Sequence, residues 1–246
     1  MRINKYLASH GVASRRASEA LISNGKVGVN GTVIRDLAFQ IDEINDIVTV
    51  NGKPLGDAQN YVYYLLNKPK DVISAARADH GETTVVDLIK NESNRIFPVG
   101  RLDKDTEGLI LLTNDGDLAY RMTHPKFENQ KTYEALLQGR VSGEELKQLA
   151  RGVAIDGKKT APAFVKLLRL KNGNSLVRIT IHEGRNRQIR KMAEQVGHRV
   201  LALIRSGEAG RSVDGRNVGE YRKLTSAEVK RLQSIAEKGN TRAGAH

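Results

Sequence analysis

The run Gly100-Arg-Leu-Asp-Lys-Asp-Thr-Glu-Gly-Leu-Ile-Leu-Leu-Thr-Asn-Asp115 holds the residues best suited to chemistry. A short polar turn with Arg101 and Asp103 leads into an apolar β-type stretch, Leu109 to Leu112. Pro98 and Gly100 bend the chain before the turn, and Gly108 lets the strand start close to its neighbours. A carboxylate on such a turn can stand at the mouth of a cleft while the strand fixes its position, which makes Asp103 a candidate nucleophile. Two plainer readings compete. Asp103, Asp105, Glu107, Gly108 and Ile110 follow the opening of a calcium loop, but Asn114 replaces the bidentate Glu at its end and Leu111 and Leu112 precede it, which argues against calcium. An Asx-turn that only stabilises the loop is the other.

A second cluster is His182-Glu-Gly-Arg-Asn-Arg-Gln-Ile-Arg-Lys191. Ile189, Met192, Ala193 and Val196 form one stripe, which predicts a helix over Asn186–Val196 stopped by Gly197. Desolvation would raise the pKa of a buried Asp103, so the nucleophile needs a cation beside it. Arg190, next to Ile189 on the edge of the stripe, is placed to reach inward. Arg185, Arg187 and Lys191 read either as a solvated face or as phosphate contacts. Gly152 to Lys158 spells Gly-x4-Gly-Lys, yet Lys159 replaces the required Ser/Thr and no helix pattern follows, so no phosphate loop is expected. The six His show no metal-ligand spacing, and His124 and His182 read as structural.

These residues sit in a chain of 246 residues with formal net charge +12 and a pI near 9.9. That surplus favours a polyanionic partner, nucleic acid before membrane. There are 0 Cys, which excludes disulfides, thiol chemistry and Cys-ligated zinc. Met1 to Tyr6 lacks the apolar core of a signal peptide and no apolar run could span a bilayer, so the reading is a soluble, cytoplasmic protein. With 7 Tyr, 4 Phe and 0 Trp, rows of stacked bases are not expected; phosphates and RNA shape should dominate recognition.

The elements follow from pattern. Ile3, Tyr6 and Leu7 make one helix stripe; Ser14 can cap a second helix holding Ala17, Ala20 and Leu21 and ending at Gly25. Val27 and Val29 lead to an Asn30-Gly31 hairpin turn, and Ile47, Val48 and Val50 to Asn51-Gly52. Basic residues crowd residues 1–30 and acidic residues 31–60, which suggests one binding face. After a linker at 55–60, Tyr61–Leu66 reads as a buried strand. Ser142 with Glu145 forms a capping box, strand-like runs surround Asp156-Gly157, Leu176–Ile181 is a strand, and Thr225 with Glu228 opens a last amphipathic helix through Leu232. The fold class is α+β with a mixed, largely antiparallel sheet.

The Gly100–Asp115 run, the Asn67-Lys68-Pro69-Lys70-Asp71-Val72-Ile73-Ser74 opening, Lys131-Thr132-Tyr133 and the 182–191 cluster together resemble the bacterial pseudouridine synthases of ribosomal RNA, the RsuA family. The N-terminal pattern resembles the small RNA-binding module first seen in ribosomal protein S-four. The resemblance spans residues 1 to about 236 and implies a small helix-rich RNA-binding domain at 1–58, a synthase domain with a cleft-split curved sheet at 61–238, and a flexible tail at 239–246. It implies site-specific conversion of a uridine to pseudouridine, with base flipping and with no cofactor or metal. It implies Asp103 as the catalytic residue, Arg190 as its partner, and Tyr133 as the ring that stacks on the flipped base. Leu203 would line the uracil pocket, and Arg205, Arg101, Arg185, Arg187 and Lys191 would contact substrate or RNA. In the S-four-type module the matching basic positions are Arg15, Arg16 and Lys26. Length, Ser14-Arg15-Arg16 and His182-Glu183-Gly184 look like the large-subunit branch, acting as a monomer on ribosomal RNA. Ser206–Asn217, rich in Gly and Arg, departs from the family pattern. Two rival readings are a non-catalytic ribosome-assembly factor with a retired synthase domain and a DNA-binding regulator; no helix-turn-helix pattern supports the latter.

Overall fold

A computed structural model describes residues 1–213, 215 and 217–242, with side chains through Ser234. Two compact units emerge: Met1–Val62 with the short pieces Glu92–Arg95 and Asn114–Gly116, and the remainder from Tyr63.

The first unit holds α1 (Ile3–Ser9), α2 (Arg15–Ser23) and an antiparallel sheet of β1 (Val27–Val29), β2 (Thr32–Ile34), β3 (Val48–Val50) and β4 (Lys53–Pro54) in the order β2-β1-β3-β4. Ser14 caps α2, its Oγ accepting from the Ala17 amide at 3.1 Å. Asn30-Gly31 and Asn51-Gly52 all take positive φ (50°, 81°, 50° and 77°), the backbone a two-residue hairpin turn requires. Ile3, Leu7, Ile22, Val27, Val29, Ile41 and Val48 form the core. The buried face of α2 differs from the expected one: Ser18 and Ile22 face inward, while Ala17 and Ala20 are exposed. Ile22 buries more apolar surface than either alanine, and so sets the rotation of the helix. Arg15, Arg16 and Lys26 are exposed.

The second unit is built, in chain order, from β5 (Tyr63–Lys68), β6 (Phe97–Val99), β7 (Glu107–Thr113), α3 (Gly116–Thr123), β8 (Lys131–Leu137), α4 (Gly143–Arg151), β9 (Ala154–Ile155), β10 (Lys158–Lys159), β11 (Phe164–Lys171), β12 (Asn174–Ile181), α5 (Gln188–Gln195), β13 (Val200–Glu208), β14 (Arg211–Ser212), β15 (Tyr221–Lys223) and α6 (Ser226–Arg242). Nine strands make one sheet along the path β11-β12-β8-β13-β7-β5-β15, with β14 on β13 and β6 on β7. β9 and β10 form a separate hairpin at Asp156-Gly157. The Ser142/Glu145 capping box is present, at 3.3 Å and 2.7 Å. Thr225 and Glu228 cap α6 in the same way, at 3.3 Å and 2.9 Å. α5 starts at Gln188 rather than Asn186 because Arg187 takes a left-handed φ of 52°. One core packs Tyr63, Leu65, Val99, Leu109 and Leu111 with Leu118, Met122 and Leu232; another packs Leu149, Val153 and Ile155 with Met192 and Val196. Within the departing stretch Ser206–Asn217, β13 and β14 pair, and Asp214 and Arg216 lie outside the described residues. Of the expected tail, 239–242 continue α6 and 243–246 lie outside the described residues. Among the described residues no helix is long and apolar enough to cross a membrane.

All pairings in the large sheet are antiparallel except β13 with β7, which touch through Ile204–Glu107 and Arg205–Gly108. This short parallel contact joins the two halves of the sheet. Gly108 has φ +112°, and a Cβ there would lie 2.6 Å from the Arg205 amide nitrogen and closer still to its carbonyl oxygen. Gly108→Ala should therefore cost at least about 2 kcal/mol, from backbone strain plus a backbone clash. Gly157→Ala, also at positive φ but in open space, should cost only about 1 kcal/mol. Urea unfolding midpoints of the two variants check the order.

Candidate active site

The segment 100–106, between β6 and β7, is held by its backbone. Ser74 Oγ accepts from the Leu102 amide at 3.0 Å and donates to the Leu102 carbonyl at 2.9 Å. Lys68, the last residue of β5, is fully buried. Its ammonium donates to the carbonyls of Thr106 (2.9 Å), Pro69 (2.8 Å) and Lys104 (3.4 Å). Between these anchors Asp103 projects into a cleft of about 410 Å³. Neither Lys68 nor Ser74 figures as a site residue in the sequence reading; the one signal was a lysine closing an otherwise apolar strand.

The cleft brings together Arg101, Asp103, Tyr133, Arg185, Arg187, Leu203 and Arg205, with His124, His182 and Lys131 also on its wall. Arg190 and Lys191 do not line it. The expected Asp103–Arg190 pair is not formed. Arg187 Nη1 lies 3.7 Å from Asp103 Oδ2 and 3.6 Å from Asp105 Oδ1. Arg190 Nη2 instead pairs with Asp105 Oδ2 at 3.0 Å and donates to the Asp105 carbonyl (3.3 Å) and Thr106 Oγ1 (3.4 Å). The cause is the left-handed Arg187, which swings that side chain over Asp103 and leaves Arg190 one turn deeper. The Arg187 side chain is 44% exposed and that of Arg190 10%, so the first stands on the rim and the second is held behind the loop.

Tyr133 is buried on β8, directly across from Arg205 on β13. Burial pushes the Tyr133 hydroxyl up from its usual range, against the opposing pull of the Arg205 charge. Arg205, 1% exposed, donates from Nε to the Leu109 carbonyl at 2.7 Å and pairs with Glu208 at 3.2 Å. Burial draws the Lys131 ammonium below its usual range. Arg185 donates to the carbonyls of Lys158 (2.9 Å) and Lys159 (2.7 Å), and Lys191 pairs with Asp156 at 2.6 Å. Both therefore fasten the β9–β10 hairpin to the cleft wall. The arrangement offers a half-exposed carboxylate beside an exposed guanidinium, with a buried phenol and an apolar Leu203 facing the same space. That suits nucleophilic attack on a planar substrate enclosed against Tyr133.

Residues 62–195 match the family model for RNA pseudouridylate synthases, and residues 1–48 match the S4 domain. The chain is 48% identical over 240 residues to the ribosomal large subunit pseudouridine synthase B of Bacillus subtilis, covering 97% of this chain and 98% of that protein. It is 36% identical to the dual-specificity RNA pseudouridine synthase RluF of Shigella flexneri, over 99% of this chain and 82% of that one. A crystal structure of a pseudouridylate synthase superposes with a TM-score of 0.67 at 29% identity, covering 94% of this chain and 99% of that one.

Burial lowers the Lys68 pKa from 10.5 to about 8, despite the nearby carboxylates of Asp105, Glu107 and Asp103. Below about 8 both folded and unfolded chains hold the proton and the burial penalty is fully present. Between about 8 and 10.5 the unfolded chain binds more protons, so stability rises with pH. Wild type should gain up to about 3 kcal/mol across that window relative to Lys68→Met. Urea unfolding of both proteins at about pH 7.5 and about pH 9.5 checks it; equal pH dependence would count against a buried ammonium.

Proposed function

The chain belongs to the RNA pseudouridylate synthase family, and we propose that it isomerises a specific uridine of large-subunit ribosomal RNA to pseudouridine with Asp103 as the nucleophile. The observation that carries the reading is the half-exposed Asp103, fixed by its backbone, in the one cleft wall shared with Tyr133 and Arg187. The large-subunit assignment is supported by the near full-length similarity to the Bacillus subtilis protein.

In the reaction the bond between ribose C1′ and uracil N1 breaks, the base rotates, and C1′ rejoins at C5. The C5 proton leaves and N1 regains one, so the overall change is an isomerisation. Attack of Asp103 on the sugar, attack on the base and assisted elimination all begin at this carboxylate. Arg187 stands beside it, and Tyr133 packs on the base once it has left its stack. Arg190 acts through Asp105 and Thr106, holding the loop rather than the nucleophile. Arg101, exposed on the cleft rim, faces the RNA. We assign residues 1–58 to RNA capture through Arg15, Arg16 and Lys26 and 61–238 to catalysis. The enzyme is a cytoplasmic monomer in this reading, acting on ribosomal RNA or an assembly particle; the absence of Cys fits that compartment.

Asp103→Asn should abolish pseudouridine formation in a ribosomal RNA transcript while RNA affinity stays within a few-fold. Turnover by the folded Asn variant would remove the nucleophile role. Loss of RNA binding together with turnover would assign Asp103 to binding.

The two arginines should separate. Arg187→Gln should lower saturated turnover about a hundredfold, equivalent to about 2.7 kcal/mol of barrier, without lowering the melting temperature. Arg190→Met should lower both, because it leaves buried loop acceptors unpaired. The reverse pattern would return Arg190 to the role of direct partner of Asp103.

A further inference from the structure

β11 is the outermost strand of the nine-stranded sheet and is paired only with β12. Strict alternation along it would set Phe164 and Lys166 on one face, and Arg169 and Lys171 on the other with Val165 and Leu167. A bulge prevents this. The register runs Phe164–Thr180, Lys166–Arg178 and Leu167–Val177, then skips Leu168 and resumes as Arg169–Leu176 and Lys171–Asn174. The extra residue re-aims the strand, so that Phe164, Lys166, Arg169 and Lys171 share one face. That face continues over Thr180 and Arg178 of β12 and Thr132 and Glu134 of β8. The Thr132 and Thr180 hydroxyls lie 3.0 Å apart, and Arg178 pairs with Glu134 at 2.8 Å. Tyr133 alternates with these residues, so the row lies on the reverse of the sheet from the cleft wall.

Arg151, Lys158, Lys159, Lys166, Arg169 and Lys171 are all exposed, and among the described residues none has an ion-pair partner. The one acid of the 151–171 segment, Asp156, is occupied by Lys191. Phe164 stands 63% exposed within the row. Lysines and a bulge on an edge strand also deter edge-to-edge association. That role calls for no exposed ring and no alignment of the cations on one face. Unpaired cations aligned beside a bare aromatic fit a polyanion that carries flat bases.

We infer that the reverse face of β11–β12 is a second RNA-binding surface, which holds a stretch of RNA other than the one whose uridine enters the cleft. Lys166, Arg169 and Lys171 contact phosphates, and Phe164 stacks on an unpaired base. The inference rests on the reading of RNA as the substrate.

The test compares wild type with Lys166→Gln/Arg169→Gln/Lys171→Gln on two probes: a transcript of a whole large-subunit rRNA domain, and a short stem-loop carrying the target uridine. On the long transcript the slope of log affinity against log salt should fall by roughly 2–3 units, at about 0.7–0.9 for each phosphate contact. On the stem-loop it should not change. Phe164→Ala should weaken binding of the long transcript about tenfold without altering the slope, because stacking is not ionic. An unchanged slope in a folded triple variant overturns the inference. So does an unchanged slope with new self-association, which would leave the cations only an edge-guarding role. An equal fall on both probes overturns it as well, by placing the row on the cleft's own RNA. Wild-type protein that binds RNA but forms no pseudouridine would instead overturn the functional reading and leave this comparison standing.

Discussion

Three buried cations grip the carbonyl oxygens of one short run of chain. Lys68 takes those of Lys104 and Thr106, Arg190 that of Asp105, and Arg205 that of Leu109. They come from β5, α5 and β13, elements far apart in sequence. Each such bond to a charged donor is worth about 1.5–3 kcal/mol and is directional. The loop that carries Asp103 is thus fixed by its backbone, and the Asp103 side chain is left to face the cleft. The arrangement also places positive charge behind the loop that carries Asp103. Burying three cations is costly, but each donates to backbone carbonyls, and removing one would leave bare carbonyls inside the fold.

The parallel contact of β7 with β13 serves the same end. Only a residue without Cβ lets the two backbones meet at Gly108. Because they meet, Arg205 can reach the Leu109 carbonyl with its Nε while it stands across from Tyr133 in the β8–β13 pairing. The phenol and the loop that carries Asp103 are thereby referred to one strand.

Much of this was legible in the sequence where local chemistry decides. The Asn-Gly and Asp-Gly turns, the capping box at Ser142, the stripe of α5 and the apolar run of β7 all formed as their residues dictate. Asp103, Tyr133, Leu203 and Arg205 share the cleft that the motifs suggested. What local pattern could not supply was geometry between distant segments. The parallel join has no signature in either strand. The exchange of Arg187 for Arg190 at Asp103 turns on one left-handed residue, which no periodicity reveals. Lys68 looked like the end of a strand because its partners are backbone atoms of another segment. The face of α2 differs from the expected Ala17, Ala20 and Leu21 stripe because Ile22, outside that stripe, turns the helix inward. The bulge at Leu168, which decides the face of Arg169 and Lys171, is likewise set by pairing with β12.

The contact that closes the cleft has a consequence in time. Arg205 and the Leu109 carbonyl that it holds are 96 residues apart in the chain. In the S4 unit, by contrast, two of the three strand pairings turn on neighbouring Asn-Gly pairs. Closing a loop of that length carries its entropy cost before the contact is made, so the short-range unit forms first. On a chain emerging from its own ribosome, residues 1–62 are complete while β13 is still unsynthesised. The S4 end of the molecule is therefore born before the cleft exists, and a nascent chain carries the first without the second.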